Sequence, residues 1–397
     1  MPRPLLLTVA IAACGASAIA QAPAKPAVPL RTGLTIVTAI AEHFGDYESI
    51  KRITAVDDKG YTLSYAADVP EDPDEDLGPG EKPTMREVRG TRTVLAADLQ
   101  GAHEYVQKFG GQQPRILKGS TALGVSAAVL TELKTRGESK ITVMPEGIMG
   151  AIGGLLGGML GGGDELGMAK MSGTLKLSKD GPKTLTVLVN GAQAALPVVH
   201  ATVDFDEETS GDFLFHDDTA HPISLKFTIG DTDLRVVRID FPAEAPAPAS
   251  SPGPASTGGS GGGGGAGPEA ATTSAATMEA ALKTSGTFDV YGIYFDFASD
   301  RIKPESEPVL REIGKVMTDN PTWTLAVGGH TDNVGGTTYN LDLSKRRAAA
   351  VKQALVTRYK VAPARLEPNG YGAGSPKAPN TTMEGRAQNR RVELRKR

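Results

Sequence analysis

Between Ala243 and Thr277 the chain reads AEAPAPASSPGPASTGGSGGGGGAGPEAATTSAAT, a run with no aromatic and no large aliphatic side chain. Such a run buries too little to offset the entropy of ordering it, so it reads as a linker. Its Pro/Ala half is semi-extended and its Gly/Ser half a flexible coil, with an r.m.s. reach on the order of 30 Å and a stretched reach of about 100 Å. The 397 residues must therefore fold as two units, one on each side, and the length is ample for two cores.

The first residues supply an address. Arg3, an apolar run from Leu5 to Ala13 and the small residues Ala18-Ile19-Ala20 before Gln21 form a secretory signal over residues 1–20 with an A-x-A cleavage site. A competing reading uses Ile11-Ala12-Ala13-Cys14 as a lipobox, with Cys14 the acylated first residue of a lipoprotein. Both readings imply export. Cys14 is the single cysteine, so the mature chain has no internal disulfide and no cysteine nucleophile. Residues 21–29 are Pro/Ala-rich and read as a short tether.

Residues 30–242 read as a β-rich periplasmic domain of unknown function. Alternating or β-branched runs recur at Thr35–Ile40, Ser49–Val56, Tyr61–Ala67, Gly173–Ser178, Thr184–Val189, Val198–Phe205, Leu225–Gly230 and Leu234–Phe241, with turn signals at Asp57–Gly60 and Asn190-Gly191. Helices are expected at Asp98–Phe109 and Ser126–Thr135. The acidic, Pro-rich segment Val69–Pro83 reads as an exposed loop. A transmembrane barrel would need aromatic girdles, and the chain is 5% aromatic with its one Trp at position 323. The glycine-spaced segment Gly147–Gly163 is too short for a spanning helix and reads either as a loop or as a membrane-touching helix.

Chemistry beyond binding finds little support in these residues. His216, Asp217, Asp218 and His221 lie close in sequence, but FLFHDD reads as a strand entering a polar turn, and no metal site is assigned. There is no G-x-S-x-G, H-E-x-x-H or Walker pattern, so neither catalysis nor a cofactor is expected. Residues from Gly286 onward carry 18 Lys+Arg against 12 Asp+Glu, a charge of +6, which leaves −10 on residues 1–285 for the net −4. A basic domain suits an anionic partner, and export argues against nucleic acid.

Residues 278–397 read as strands alternating with amphipathic helices: helix 278–284, strand 287–296, helix 304–318, strand 323–328, helix 337–359, strand 365–371, a short helix near 383–388 and strand 389–395. The pattern predicts a two-layer α/β sandwich. Its centre is GHTDNVGGTTYNLDLSKRR, Gly329–Arg347, a strand end, a tight turn and a helix start. Asp332 sits in the turn, and Arg347 follows about three turns into the helix. An acid and a permanent base on one cleft suit a zwitterionic head group, or simply pair with each other.

GHTDNVG, YNLDLSKRRAAAVKQAL, RLEPNGYGAGSPKAPN and GRAQNRRVEL, in this order, together with IYFDFAS at Ile293–Ser299, resemble the OmpA-like peptidoglycan-binding domain. The resemblance implies that Asp332 and Arg347 hold the diaminopimelate of the peptidoglycan stem peptide, with supporting roles for Thr331, Asn340 and Arg391. The expectation is a non-catalytic envelope protein of the periplasm or outer membrane. Its C-terminal domain would bind peptidoglycan, and residues 30–242 would face the outer membrane or another envelope protein. An outer-membrane porin with a periplasmic OmpA-like domain, or an envelope enzyme with its site in 30–242, are the alternatives.

Overall fold

A computed structural model describes residues 28–42, 44–71, 81–106, 115–143, 170–206, 209–230, 232–242 and 273–397. The signal region with Cys14, most of the tether, the segment Gly147–Gly163 and most of the linker lie outside the described residues. No helix among the described residues is long and apolar enough to cross a membrane.

The N-terminal part is built from β1 (Thr35–Ile40), β2 (Tyr47–Asp57), β3 (Gly60–Pro70), β4 (Met85–Leu95), α1 (Ala96–Gly101), β5 (Glu104–Tyr105), β6 (Ser120–Thr121), α2 (Ala127–Arg136), β7 (Glu138–Val143), β8 (Met171–Leu177), β9 (Thr184–Val189), β10 (Ala192–Asp204), β11 (Ser210–His216), β12 (Ser224–Ile229) and β13 (Thr232–Asp240). One sheet runs β4-β3-β2-β1-β13-β12-β11-β10-β8-β7-β5-β6, with β9 pairing β10 and β13. The expected Asn190-Gly191 turn joins β9 to β10, both residues at positive φ (49° and 80°), the geometry a two-residue hairpin demands. Ser126 caps α2 by accepting from the Val129 amide. The helix expected over 98–109 stops at Gly101 because Glu104 and Tyr105 pair in parallel with β6 and β7 instead. All six residues of β1 are buried. Ile36 faces the β core, while Val37 and Ala39 face the C-terminal part. A strand covered by protein on both sides lacks the lipid-facing alternation of a barrel strand.

The C-terminal part runs α3 (Ala275–Thr284), β14 (Thr287–Val290), α4 (Glu307–Asp319), β15 (Leu325–His330), α5 (Thr337–Tyr359), β16 (Leu366–Gly372), α6 (Met383–Asn389) and β17 (Val392–Lys396). The sheet order is β14-β17-β15-β16; β15 and β16 are parallel, joined by the α5 crossover, and the other pairs are antiparallel. Leu310, Ile313, Met317, Val351 and Leu355 of the helices pack on Leu325, Val327 and Leu394 of the sheet. The span 275–277, read as linker, is the first turn of α3, capped by Ser274. The strand expected over 287–296 ends at Val290, because beyond it the Tyr294 amide turns to the Ser306 hydroxyl at 2.8 Å. Gly329 is required where it stands: a Cβ there would lie 2.1 Å from the Ser344 carbonyl oxygen of α5.

The two parts meet along one seam. Its apolar centre joins Val37, Ala39, Ile50 and Val237 to Tyr294, Met383 and Ala387. Ion pairs flank it: Asp46 with Arg386 (2.7 Å), Glu48 with Arg390 (2.6 Å), Asp68 with Lys303 (2.7 Å), Arg89 with Glu305, and Arg235 with Glu384.

Candidate binding cleft

The loop leaving β15 is fixed before any ligand is considered. The Asp332 carboxylate accepts the Val334 amide at 3.0 Å, an Asx turn that closes the loop on itself. Asn340, in the first turns of α5 and 3% exposed, donates to the carbonyls of Asp332 (3.3 Å) and Val334 (3.1 Å) and so ties loop to helix. The Thr331 amide donates to the Gly372 carbonyl at 3.0 Å, while its hydroxyl is buried without a partner.

Arg347 approaches from α5. Its Nε donates to the Ser299 carbonyl at 2.8 Å, and its guanidinium lies 4.8 Å from the centre of the Phe295 ring. Burial, with help from the neighbouring Arg390 charge, lowers its pKa to about 10, so it stays a cation at neutral pH. Arg347, Thr331, Asp332, Asn340 and Arg391 all line one cavity of about 120 Å³, room for several water molecules.

Within that cavity Arg391 stands apart in role. Its Nε donates to Asp289 at 3.1 Å and its Nη2 to the Ser375 carbonyl at 3.2 Å, while Nη1 is buried without a partner. Arg390 and Arg391, expected within the strand 389–395, lie instead between α6 and β17, ahead of the strand. There Arg390 bonds Asp332 Oδ2 at 2.7 Å and Glu48 at 2.6 Å. Burial works against its charge, but Glu48, Asp332 and Asp46 outweigh it and hold its pKa above the ordinary value. Burial would likewise raise Glu48; Arg390, Arg238 and Arg347 overcome that and keep it a carboxylate. His330, stacked on Tyr371 with ring centres 4.9 Å apart, has neither ring nitrogen bonded, and burial together with the Arg391 charge lowers its pKa to about 4.

Asp217, part of the histidine-rich stretch, pairs with Lys134 at 2.6 Å. The acidic group that does converge among the described residues is Asp68, Glu87 and Asp296. The Lys303 ammonium sits among them at 2.7, 3.4 and 2.9 Å and already supplies the positive charge.

Residues 294–390 match the OmpA family model. The chain is 44% identical over 101 residues to outer membrane porin F of Pseudomonas aeruginosa, an alignment covering 25% of this chain and 29% of that one. It is 39% identical over 126 residues to the peptidoglycan-associated lipoprotein of Pseudomonas putida, covering 32% of this chain and 72% of that protein. Among solved structures, the peptidoglycan-associated lipoprotein from Burkholderia pseudomallei is similar at 31% identity, 26% and 88% coverage and a TM-score of 0.25. The chain thus spans about three-tenths of the length of the porin relative, and most of the lipoprotein. The matched residues are those that build the strand, loop and helix around the cleft, and through them the chain belongs to the OmpA family.

Proposed function

We propose that the protein is a non-catalytic anchor of the cell envelope whose OmpA domain, an α/β two-layer sandwich, binds peptidoglycan through the diaminopimelate of its stem peptide. In this reading residues 278–397 are the wall-binding domain, 243–277 the tether, and 30–242 a β-rich domain held in the periplasm or at the outer membrane. Asp332 takes the ammonium of the diaminopimelate side chain and Arg347 its carboxylate. The observation that carries the reading is the placement of these two opposite charges on one cleft, one on a loop closed by an Asx turn and the other on helix α5. Similarity to a peptidoglycan-associated lipoprotein supports the choice of ligand. The unpartnered Thr331 hydroxyl offers a further polar contact.

The choice between diaminopimelate and lysine follows from charge. A lysine-type stem peptide keeps the ammonium but lacks the neighbouring carboxylate, leaving Arg347 without its bidentate partner. Sedimentation of the full chain with diaminopimelate-type sacculi, beside lysine-type sacculi, tests this. Binding to the first alone is expected, and Asp332→Ala and Arg347→Ala should each weaken it by about 2–3 kcal/mol, or 30- to 150-fold. Asp332→Asn retains an acceptor for the Val334 amide, so it separates loss of charge from loss of loop shape. Unchanged sedimentation of both alanine variants would remove the site assignment.

A further inference from the structure

The N-terminal part places two charges against the cleft in a ligand-like arrangement. Lys82, on the segment leading into β4, holds its Nζ 4.9 Å from the centre of the Tyr339 ring and 5.1 Å from that of Phe297, and it lines the same cavity as Asp332. Glu48, the second residue of β2, is bonded to Arg390 at 2.6 Å and also lines that cavity, beside Arg347. A cation towards the acid and a carboxylate towards the guanidiniums reproduce the charge pattern of a zwitterionic amino-acid head group. The contact is not a loose collision. Asp46, 3% exposed at its side chain, takes Arg386 through both oxygens at 2.7 and 2.8 Å, and the apolar seam beside it is buried on both sides. Phe44 packs edge-on against Phe297 with ring centres 5.8 Å apart at the cavity wall.

We infer that the N-terminal part is an intramolecular competitor for the cleft, with Glu48 and Lys82 standing where the ligand's carboxylate and ammonium would lie, and that the chain takes up wall ligand only after this part undocks. The inference rests on the wall-binding reading above. The apparent affinity of the full chain is then its intrinsic affinity multiplied by the undocked fraction, so a chain undocked one part in ten binds tenfold more weakly. Anything that grips the N-terminal part in its undocked form, such as another envelope component, would switch wall attachment on.

Two variants of the full chain test this against diaminopimelate-type sacculi. Asp46→Lys/Glu48→Lys opposes Arg386 and Arg390 with like charge and leaves Asp332 and Arg347 untouched; tenfold or greater tightening over the parent is expected. Gly45→Cys/Val334→Cys, with Cys14→Ser, locks the seam: a Cβ at Gly45 would lie 3.7 Å from Val334 Cβ, within the range a disulfide joins. Gly45 has φ +119°, so cysteine is strained there in both redox states, and the comparison is within one polypeptide. Oxidation should reduce binding at least tenfold and reduction restore it. If the parent and the charge-reversed chain sediment equally, or the oxidised chain binds as well as the reduced one, the competitor idea falls and the wall-binding reading survives. If no form, reduced or released, sediments at all, both fall.

Discussion

His330 makes the C-terminal domain sensitive to acid in a window that few other groups share. In the unfolded chain it takes up a proton below its ordinary pKa of 6.5; in the fold it does so only near 4. Between those values the unfolded state binds more protons, so stability is full above pH 6.5 and falls as pH falls towards 4. At 1.36 kcal/mol per unit, the loss amounts to about 2 kcal/mol by pH 5 and about 3 kcal/mol by pH 4. The depressed carboxylates Glu48 and Glu307 act lower, since their contribution is lost only as pH falls through values below the ordinary 4.5. Burial also lowers His221, but that residue lies in the N-terminal part between β11 and β12. Trp323, the single tryptophan, is buried in the C-terminal core beneath the Lys396 ammonium, so its fluorescence follows this domain. Urea titrations of the full chain at pH 7, 6 and 5, read at Trp323, should show the loss. His330→Phe should abolish most of it, because the ring stacks on Tyr371 and neither nitrogen is bonded. A His330→Phe chain that loses as much stability as the parent between pH 7 and 5 would refute the reasoning.

Two more outcomes follow from the packing. Lys303 is 3% exposed at its side chain, and its hydrogen bonds to Asp68 and Asp296 outweigh burial in holding its pKa up. Lys303→Met should therefore cost about 3–5 kcal/mol by leaving the buried Asp68 carboxylate without its cation, since Asp296 and Glu87 keep Arg301 and Arg89. A double-mutant cycle with Asp68→Asn, measured by urea unfolding, should give a coupling of about 2 kcal/mol; a value near zero would mean that the pair does not join the two parts. Gly329→Ala should destabilise the domain by about 3 kcal/mol or more, read as a shift of the Trp323 urea midpoint, because the clashing atom belongs to the backbone of α5 and cannot swing aside.

Local chemistry was legible in the sequence. The helix expected at 337–359 occupies those residues, because its apolar spacing, the glycines before it and the lack of proline within it all act along the chain. The Asn190-Gly191 turn was legible for the same reason. The helix expected over 98–109 was not, since Glu104 and Tyr105 pair with strands around 16 and 38 residues further on, and such pairing overrides local propensity. Thr331, Asp332, Asn340, Arg347 and Arg391 are legible from one stretch and one resemblance, and the fold brings all five to one cavity. Arg390 is not legible, because a basic residue beside others looks the same in sequence whether it is solvated or buried.

By itself, then, the sequence determined two units, the sign of charge on each, and the strand, turn and helix that carry Asp332 and Arg347. Only the tertiary structure decided where the opposite charges of the two units are used. Arg386 meets Asp46 across 340 residues of chain, and Glu48 reaches Arg390 beside the same cleft. A charge in a sequence declares its sign but not its partner. Pairing depends on desolvation and distance, and both are set only when the two surfaces close on each other.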